Sequence, residues 1–213
     1  MSFRPKGLRV MTLALVGVVA VGCRNIPLPM EPSLTRGGCL ERATFEPPAS
    51  SAYCLPIPVG TSAPVSQSYC SPVGRSHHTK FAFDFDCEPG DPLVAARGGY
   101  VEMVGEEWSD ADNTSGHENR VVIRHDDGSA AFYAHFQYDG VEVTAGDVVV
   151  TGQLLGRCGT SGTYEPHLHL QVAESQVYDQ GQTLAVSFSN AQGSLDFRGG
   201  LAEGTIYTAL ACH

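Results

Sequence analysis

The sequence is poor in basic residues, with 13 lysines and arginines against 23 aspartates and glutamates and a formal net charge of −10. Nucleic-acid binding needs a basic stripe that neutralises phosphates, so this balance argues against a nucleic-acid partner. Internal repeats, long runs of one charge and amphipathic helices of about ten residues are also missing. The 213 residues, 42% of them hydrophobic, suffice for one globular domain with appendages.

The N-terminal segment has the pattern of an export signal. Basic residues precede a largely apolar run from Val10 to Gly22, which is too short to span a bilayer but fits the apolar part of a secretory signal. The small residues before Cys23 resemble the lipobox of bacterial lipoproteins. They predict a signal peptide over residues 1–22 and a lipid anchor to the cell envelope at Cys23. Ala20 stands where the lipobox usually has leucine, so cleavage with release of a secreted protein is the alternative.

The other six cysteines predict disulfides. They are an even number in a chain that we expect to fold in an oxidising compartment, namely Cys39, Cys54, Cys70, Cys87, Cys158 and Cys212. Three disulfides follow, although the sequence does not choose among the pairings. A zinc-thiolate site is disfavoured because the sequence has no Cys-x-x-Cys pair.

Composition divides the exported part of the chain into three segments. Residues 23–58 are rich in proline, serine and glycine and predict an extended tether. From residue 59 to 193, short β-rich runs recur between turn signals, which predicts an all-β domain of antiparallel sheet. Residues 194–213 form a C-terminal extension that we expect Cys212 to tie to the body. The predicted strands are Phe81–Asp86, Pro92–Ala95, Tyr100–Val104, Arg120–Arg124, Ala130–His135, Val148–Val150 and Leu168–Val172, and an alternating apolar pattern continues through Leu184, Val186 and Phe188.

Two histidines, His167 and His169, are two positions apart in a predicted strand. Residues with this spacing lie on the same face, so both imidazoles can reach one point in space. By itself such a pair is as often a structural or surface pair as a metal site.

The segment before and within the first of these strands supplies further ligand types. It offers a histidine, His77 or His78, and a carboxylate, Asp84 or Asp86. One of each, with one imidazole of the later pair, would give zinc three ligands and leave a fourth position for water, as in catalytic zinc sites. Asp84 lies among phenylalanines, where an unpaired charge would be costly.

His135 is a candidate for a separate catalytic role. Alternation along its predicted strand places Tyr133 and His135 on the same face. An imidazole beside the metal can orient the attacking water or stabilise a developing oxyanion, although a lone histidine in a strand is more often structural.

In their order, the motifs resemble peptidase family M23, the lysostaphin-like or LytM-type zinc metallopeptidases that cut peptide crosslinks of bacterial cell walls. The resemblance covers residues 70 to about 190. It rests on Ser-His, Phe-Ala-Phe-Asp-Phe, Pro-Gly-Asp-Pro-Leu-Val-Ala-Ala-Arg-Gly-Gly, Tyr-Ala-His-Phe, Gly-Asp-Val-Val-Val-Thr-Gly-Gln and Pro-His-Leu-His-Leu. The His-Glu-x-x-His helix of other zinc peptidases is absent from the sequence.

The resemblance implies a small antiparallel β domain with a groove across the sheet and Zn²⁺ as cofactor. It assigns His77, Asp84 and His169 as zinc ligands and His135 and His167 as catalytic residues. The seven positions from His77 to Asp84 exceed the family's commonest His-x-x-x-Asp spacing, so His78 remains an alternative ligand. The implied function is a zinc endopeptidase acting on peptidoglycan peptides. The alternatives are a catalytically silent module that binds the wall or regulates an amidase, and a secreted peptidase aimed at glycine-rich proteins or at the walls of other bacteria.

Overall fold

The computed structural model describes residues 36–72, Arg75, His77, 80–174 and 182–212. Over these ranges the chain is almost entirely antiparallel β structure, which confirms the predicted all-β class. None of the helices in these ranges is long and apolar enough to cross a membrane. The predicted signal peptide, Cys23 and His78 lie outside the described residues.

The described residues form one short α-helix, one turn of 3₁₀ helix and twelve strands. The helices are α1 (Arg36–Arg42) and the 3₁₀ turn Pro48–Ser50. The strands are β1 (Ser62–Gln67), β2 (Ala82–Asp86), β3 (Pro92–Val94), β4 (Gly99–Gly105), β5 (Arg120–Arg124), β6 (Ala130–Ala134), β7 (Phe136–Val141), β8 (Val148–Val149), β9 (Leu154–Cys158), β10 (His167–Ala173), β11 (Ala191–Gln192) and β12 (Ile206–Ala209).

Nine strands form one antiparallel sheet in the order β11-β12-β1-β2-β10-β6-β5-β4-β8, and β3, β9 and β7 form a second sheet in the order β3-β9-β7. At the centre of the large sheet, β10 lies between β2 and β6. Its register places His169 opposite Asp84 on one side and opposite Ala134 on the other. The sheet therefore brings Asp84 of β2 and His169 of β10 side by side although they are far apart in sequence.

The two faces of the central strands differ in character. On β10, Leu168, Leu170 and Val172 are buried in the main core, together with Tyr133 of β6. Burial of one such leucine side chain stabilises the fold by roughly 2 kcal/mol. The residues between them face the other side, because side chains alternate along a strand. We call the second face the polar face because it carries His167, His169 and Gln171 of β10. It also holds a small apolar cluster that includes Val122 and Phe132, and its polar side chains stay available for a site.

All seven predicted strands are present, each within one residue of its predicted bounds. The sequence patterns did not predict β1, β7, β9, β11 and β12. β1 contains Pro64, and β7 contains Asp139 with φ of +50° and Gly140, so intrinsic strand preference is weak there and pairing partners decide. The alternating pattern around Val186 and Phe188 forms no continuous strand, and both side chains pack against the core.

Residues 36–58 differ from the tether that their composition predicts. Tyr53 and Leu55 are buried in the main core, and the Leu55 N–H donates to Asn190 Oδ1 at 2.7 Å. The Cys54 N–H donates to the Ala96 carbonyl. The segment contains α1 and the 3₁₀ turn, and its apolar residues give it a face that packs on the domain. The predicted boundary at residue 59 therefore falls inside packed chain.

Three disulfides are present, joining Cys39 to Cys70, Cys54 to Cys212, and Cys87 to Cys158. The Cys54 bridge ties the C-terminal extension to the body, as expected. In the loop-entropy account, closures of this kind stabilise a fold by about 3–5 kcal/mol each.

Candidate metal centre

Three potential ligand atoms meet on the polar face of the large sheet. His77 Nε2 lies 3.1 Å from His169 Nδ1 and 3.2 Å from Asp84 Oδ1, and His169 Nδ1 lies 3.0 Å from the same carboxylate oxygen. His77 is fully buried, and only small fractions of the Asp84 and His169 side chains are exposed. The structure thus brings together the three residues predicted as zinc ligands.

Sheet register and a loop position these side chains. Asp84 on β2 and His169 on β10 are directly paired. His77 lies in the loop before β2, where the Lys80 N–H donates to the His77 carbonyl at 3.1 Å and so closes a turn. The Cys70 N–H donates to the Lys80 carbonyl at 3.0 Å and closes the base of the loop. The three residues are therefore held by backbone hydrogen bonds and do not depend on one another for position.

Hydrogen bonds outside the cluster fix the tautomers of both histidines. His77 Nδ1 lies 3.2 Å from the Ser68 carbonyl oxygen, so this nitrogen carries the hydrogen and Nε2 keeps its lone pair. His169 Nε2 lies 3.3 Å from Gln171 Oε1, to which it donates, so Nδ1 keeps its lone pair. Two imidazole lone pairs and the Asp84 oxygen therefore converge, an arrangement that a cation stabilises.

The donor set fits zinc. Zinc binds imidazole nitrogen and carboxylate oxygen at about 2.0–2.1 Å, which places neighbouring tetrahedral ligands about 3.3 Å apart. The three distances here, 3.0, 3.1 and 3.2 Å, are close to that value. Catalytic zinc sites also use two imidazole nitrogens and one carboxylate as protein ligands, and further hydrogen bonds support those ligands.

The electrostatics of the cluster favour ligand protonation states. Burial raises the pKa of Asp84, but the neighbouring imidazoles of His169 and His77 lower it by more, and the pKa lies well below its usual range. Burial lowers the pKa of His77 and outweighs the opposite effect of Asp84. At neutral pH the site therefore offers an ionised carboxylate and a neutral buried imidazole, which are the forms that bind metal.

His135 and His167 stand beside the cluster. Their ring centroids are 4.5 Å apart, and His167 Nε2 lies 3.8 Å from Asp84 Oδ2. His135 Nδ1 donates to the Ser161 carbonyl at 2.7 Å, and His167 Nδ1 donates to the Glu165 carbonyl at 2.8 Å. Burial, with repulsion from His167, lowers the pKa of His135 to about 3. His135 is therefore neutral at physiological pH, with an unprotonated Nε2.

The prediction that Tyr133 and His135 share a face is wrong. Tyr133 is buried in the main core, where its hydroxyl accepts a hydrogen bond from the Ala96 N–H at 2.9 Å. β6 ends at Ala134, and His135 has φ of +72°, in the left-handed region. This break in the alternation turns the imidazole of His135 toward the site.

A groove of about 440 Å³ contains the centre. It is lined by the cluster residues Asp84 and His169, by His135 and His167, and by polar and charged residues on either side of them, namely Gln67, Lys80, Ser115, Glu118, Arg120, Thr163 and Gln171. Gly116 and Gly162 also line it, where the lack of side chains leaves room.

The remaining candidates from the sequence lie elsewhere. Asp86, the rival carboxylate, is opposite His167 in register but is exposed and outside the three-residue cluster. His117 stacks on Trp108 with ring centroids 3.7 Å apart. His125 is buried and donates through Nδ1 to the Gly98 carbonyl. Asp86, His117 and His125 are therefore not part of the centre.

Sequence reasoning missed the residues that orient the imidazoles. Gln171 follows His169 by two positions on β10, so alternation alone would have placed it on the same face. Ser68, Ser161 and Glu165 act through backbone carbonyls, for which side-chain identity gives no signal.

Comparisons with known proteins identify the family of this chain. The model of the family described as Peptidase family M23 matches residues 78–187, more than half of the chain. Similar solved structures include a variant of the catalytic domain of the prophage-encoded M23 protein EnpA from Enterococcus faecalis, with 24% identity over 60% of this chain and 92% of that chain and a TM-score of 0.48. Another is the catalytic domain of the antimicrobial peptidase lysostaphin from Staphylococcus simulans, with 25% identity over 58% and 87% and a TM-score of 0.43.

Proposed function

Because this chain belongs to peptidase family M23, we propose that it is a zinc-dependent endopeptidase that cleaves peptide crosslinks of bacterial peptidoglycan. The observation that carries the proposal is the convergence of His77, Asp84 and His169 at distances of 3.0–3.2 Å inside a groove that also holds two further histidines. Family membership supports the peptidase class, and the complete set of ligand types supports activity.

His77, Asp84 and His169 would hold the ion. When bound there, zinc supplies a Lewis acid that polarises the scissile carbonyl and lowers the pKa of its water toward neutrality. The carbonyl of Ser68 and the side chain of Gln171 keep the two imidazoles in the tautomers that present their lone pairs.

His135 and His167 would handle the proton and the developing charge. Each ring donates through Nδ1 to a backbone carbonyl, which leaves Nε2 able to accept a proton from water and later to donate it. The lowered pKa of His135 keeps this residue in the accepting form at neutral pH. The protonated imidazole would then stabilise the oxyanion of the tetrahedral intermediate.

The rival function is a catalytically silent module of the same family that binds the wall or regulates an amidase. Loss of a ligand or of a catalytic histidine would favour it. In this chain all five positions keep a functional side chain, and the short distances among the five side chains support a shared site. That observation favours the enzyme.

Incubation of the zinc-loaded protein with purified peptidoglycan tests the proposal. We expect new amino termini to appear, to disappear after chelation and to return with added zinc. His169→Ala should abolish them, whereas His125→Asn, which alters a buried histidine outside the groove, should not. Cleavage that survives the chelator, or no cleavage by the loaded wild-type protein, would contradict the proposal.

We further propose that the protein is held at the bacterial envelope by a lipid on Cys23. The apolar run that ends at Gly22 and the small residues before the cysteine support this assignment. Labelled fatty acid should be incorporated into the wild type and not into Cys23→Ser. Equal labelling of both proteins would assign the lipid to another residue, and labelling of neither would favour a secreted protein.

A further inference from the structure

Outside the metal centre, the groove has more positively charged than negatively charged side chains. Four charged side chains line it, Lys80, Asp84, Glu118 and Arg120. Asp84 belongs to the cluster, and Arg120 pairs with Glu118 through an Nη1 to Oε1 distance of 3.2 Å. Lys80 has no carboxylate partner among the residues that the structure describes. It is therefore the uncompensated cation of the groove.

This cation is unusual for the chain. The protein carries a formal net charge of −10, and Lys6 and Lys80 are its only lysines. With a metal dication held partly by Asp84, the groove would be locally positive in an acidic protein. A groove walled by low-dielectric protein concentrates the field of such charges, so it attracts anionic groups that the rest of the surface repels.

The backbone of Lys80 is fixed on both sides. Its N–H donates to the His77 carbonyl at 3.1 Å, and its carbonyl accepts from the Cys70 N–H at 3.0 Å. The side chain is half-buried against the groove. Lys80 is three residues from the ligand His77 in the same closed loop, so its backbone is held next to the metal centre and its side chain lines the groove that contains the centre.

We infer that Lys80 is a specificity-determining residue that binds a free carboxylate of the substrate next to the scissile bond. The inference rests on the proposed function and narrows it. The preferred crosslink is one built through a diamino acid that keeps a free carboxylate, rather than a bridge of neutral glycines. An ammonium-carboxylate contact in a partly buried groove changes affinity by about 10-fold or more.

Two peptides that differ in one group test the inference. Both reproduce the crosslink, one with the free carboxylate beside the scissile bond and one with the corresponding carboxamide. We expect the zinc-loaded wild-type protein to bind the carboxylate form about 10-fold more tightly by calorimetry, and the preference to shrink as salt is raised. Lys80→Met, which keeps the length of the side chain, should bind both forms equally, and Lys80→Arg should retain the preference.

Matched controls separate this role from general effects. Arg157→Met removes one positive charge from an exposed pair with Glu142, outside the groove, and should leave the preference unchanged. The zinc content of Lys80→Met should equal that of the wild type, which shows that the centre is intact. Equal binding of the two peptides by the wild type, absence of binding of either, or an unchanged preference in Lys80→Met would overturn the inference.

Cleavage assays with the same peptides distinguish this inference from the proposed function. Cleavage of both forms at equal rates, with equal binding, would support the proposed endopeptidase activity and contradict the proposed role of Lys80. Selective binding of the carboxylate form without cleavage would support the role of Lys80 and favour the silent module over the enzyme.

Discussion

His77 Nε2 and His169 Nδ1 lie 3.1 Å apart although 92 positions separate the two residues in the chain. Each ring donates from its other nitrogen to a fixed oxygen, of Ser68 or of Gln171, so the two nitrogens that face each other both carry lone pairs. Such an arrangement is repulsive without a cation between the rings. The relationship therefore indicates a metal site more directly than the identity of either residue.

Gln171→Ala should weaken zinc binding without removing a ligand. Groups that hydrogen-bond to a metal-bound imidazole typically change metal affinity by about 10–100-fold. We expect a loss in this range, measured by competition with a chromophoric chelator. Gln192→Ala, at an exposed position on β11, is the matched control and should bind zinc like the wild type. Equal affinities in all three proteins would show that Gln171 does not orient His169.

His135→Ala should separate catalysis from metal binding. Loss of a general acid or base costs typically about 10²–10⁴-fold in rate, and His135 is outside the three-atom cluster. We expect kcat to fall within that range while zinc content, measured by atomic absorption, stays at one ion per chain as in the wild type. Loss of zinc in parallel with activity would instead make His135 part of the metal site.

Removal of the Cys39–Cys70 disulfide should weaken zinc binding more than removal of another disulfide. Cys70 closes the base of the loop that carries His77, through its N–H bond to the Lys80 carbonyl. We expect the double alanine variant to lose about 10-fold or more in zinc affinity, as when other supporting groups are removed.

The Cys54–Cys212 pair provides the control, because it ties the C-terminal extension to the body rather than closing the loop that carries His77. Its double alanine variant should lose stability to urea and keep its zinc affinity. Both affinities are to be compared at a temperature where circular dichroism shows both variants folded. Equal zinc affinity in the two variants would assign the Cys39 bridge a role in stability alone.

The stability of the protein should fall in acid partly because of His125. Burial lowers the pKa of this residue by more than its hydrogen bond to the Gly98 carbonyl raises it, and Nε2 has no hydrogen-bond partner. The unfolded chain takes up a proton below about pH 6.5 and the folded chain does not, so the stabilising effect is complete above that pH and is lost below it. At pH 5 the loss for one such histidine is at most about 2 kcal/mol.

His125→Asn keeps a hydrogen-bond donor and removes the titrating group. Urea denaturation of both proteins at pH 7 and pH 5 measures the effect. We expect the variant to lose less stability between the two pH values than the wild type, even if it is less stable at pH 7. Equal losses would mean that His125 is protonated in the folded protein as readily as in the unfolded chain.

Local pattern predicted the strands that hold the site but not the ones that complete the sheets. Arg120–Arg124 contains a run of three β-branched residues, and Leu168–Val172 alternates apolar with polar residues. Both strands were located to within one residue. β1 and β7 contain proline, glycine or a residue with positive φ. They are strands because neighbouring strands of the same chain offer hydrogen-bonding partners. Pairing between distant segments leaves no mark in the local composition.

The sequence by itself determined the β class and the number of disulfides, because alternation and residue chemistry are local properties, and the resemblance to a family supplied the five residues expected at the site. Only the tertiary structure decided which cysteines pair, that residues 36–58 pack on the domain, and which nitrogen of each histidine is free. Those outcomes depend on backbone carbonyls and on the register of β2, β10 and β6. The tertiary structure also decided the positive φ of His135. It turns the imidazole to the groove, on the face opposite to the one that alternation along β6 predicts.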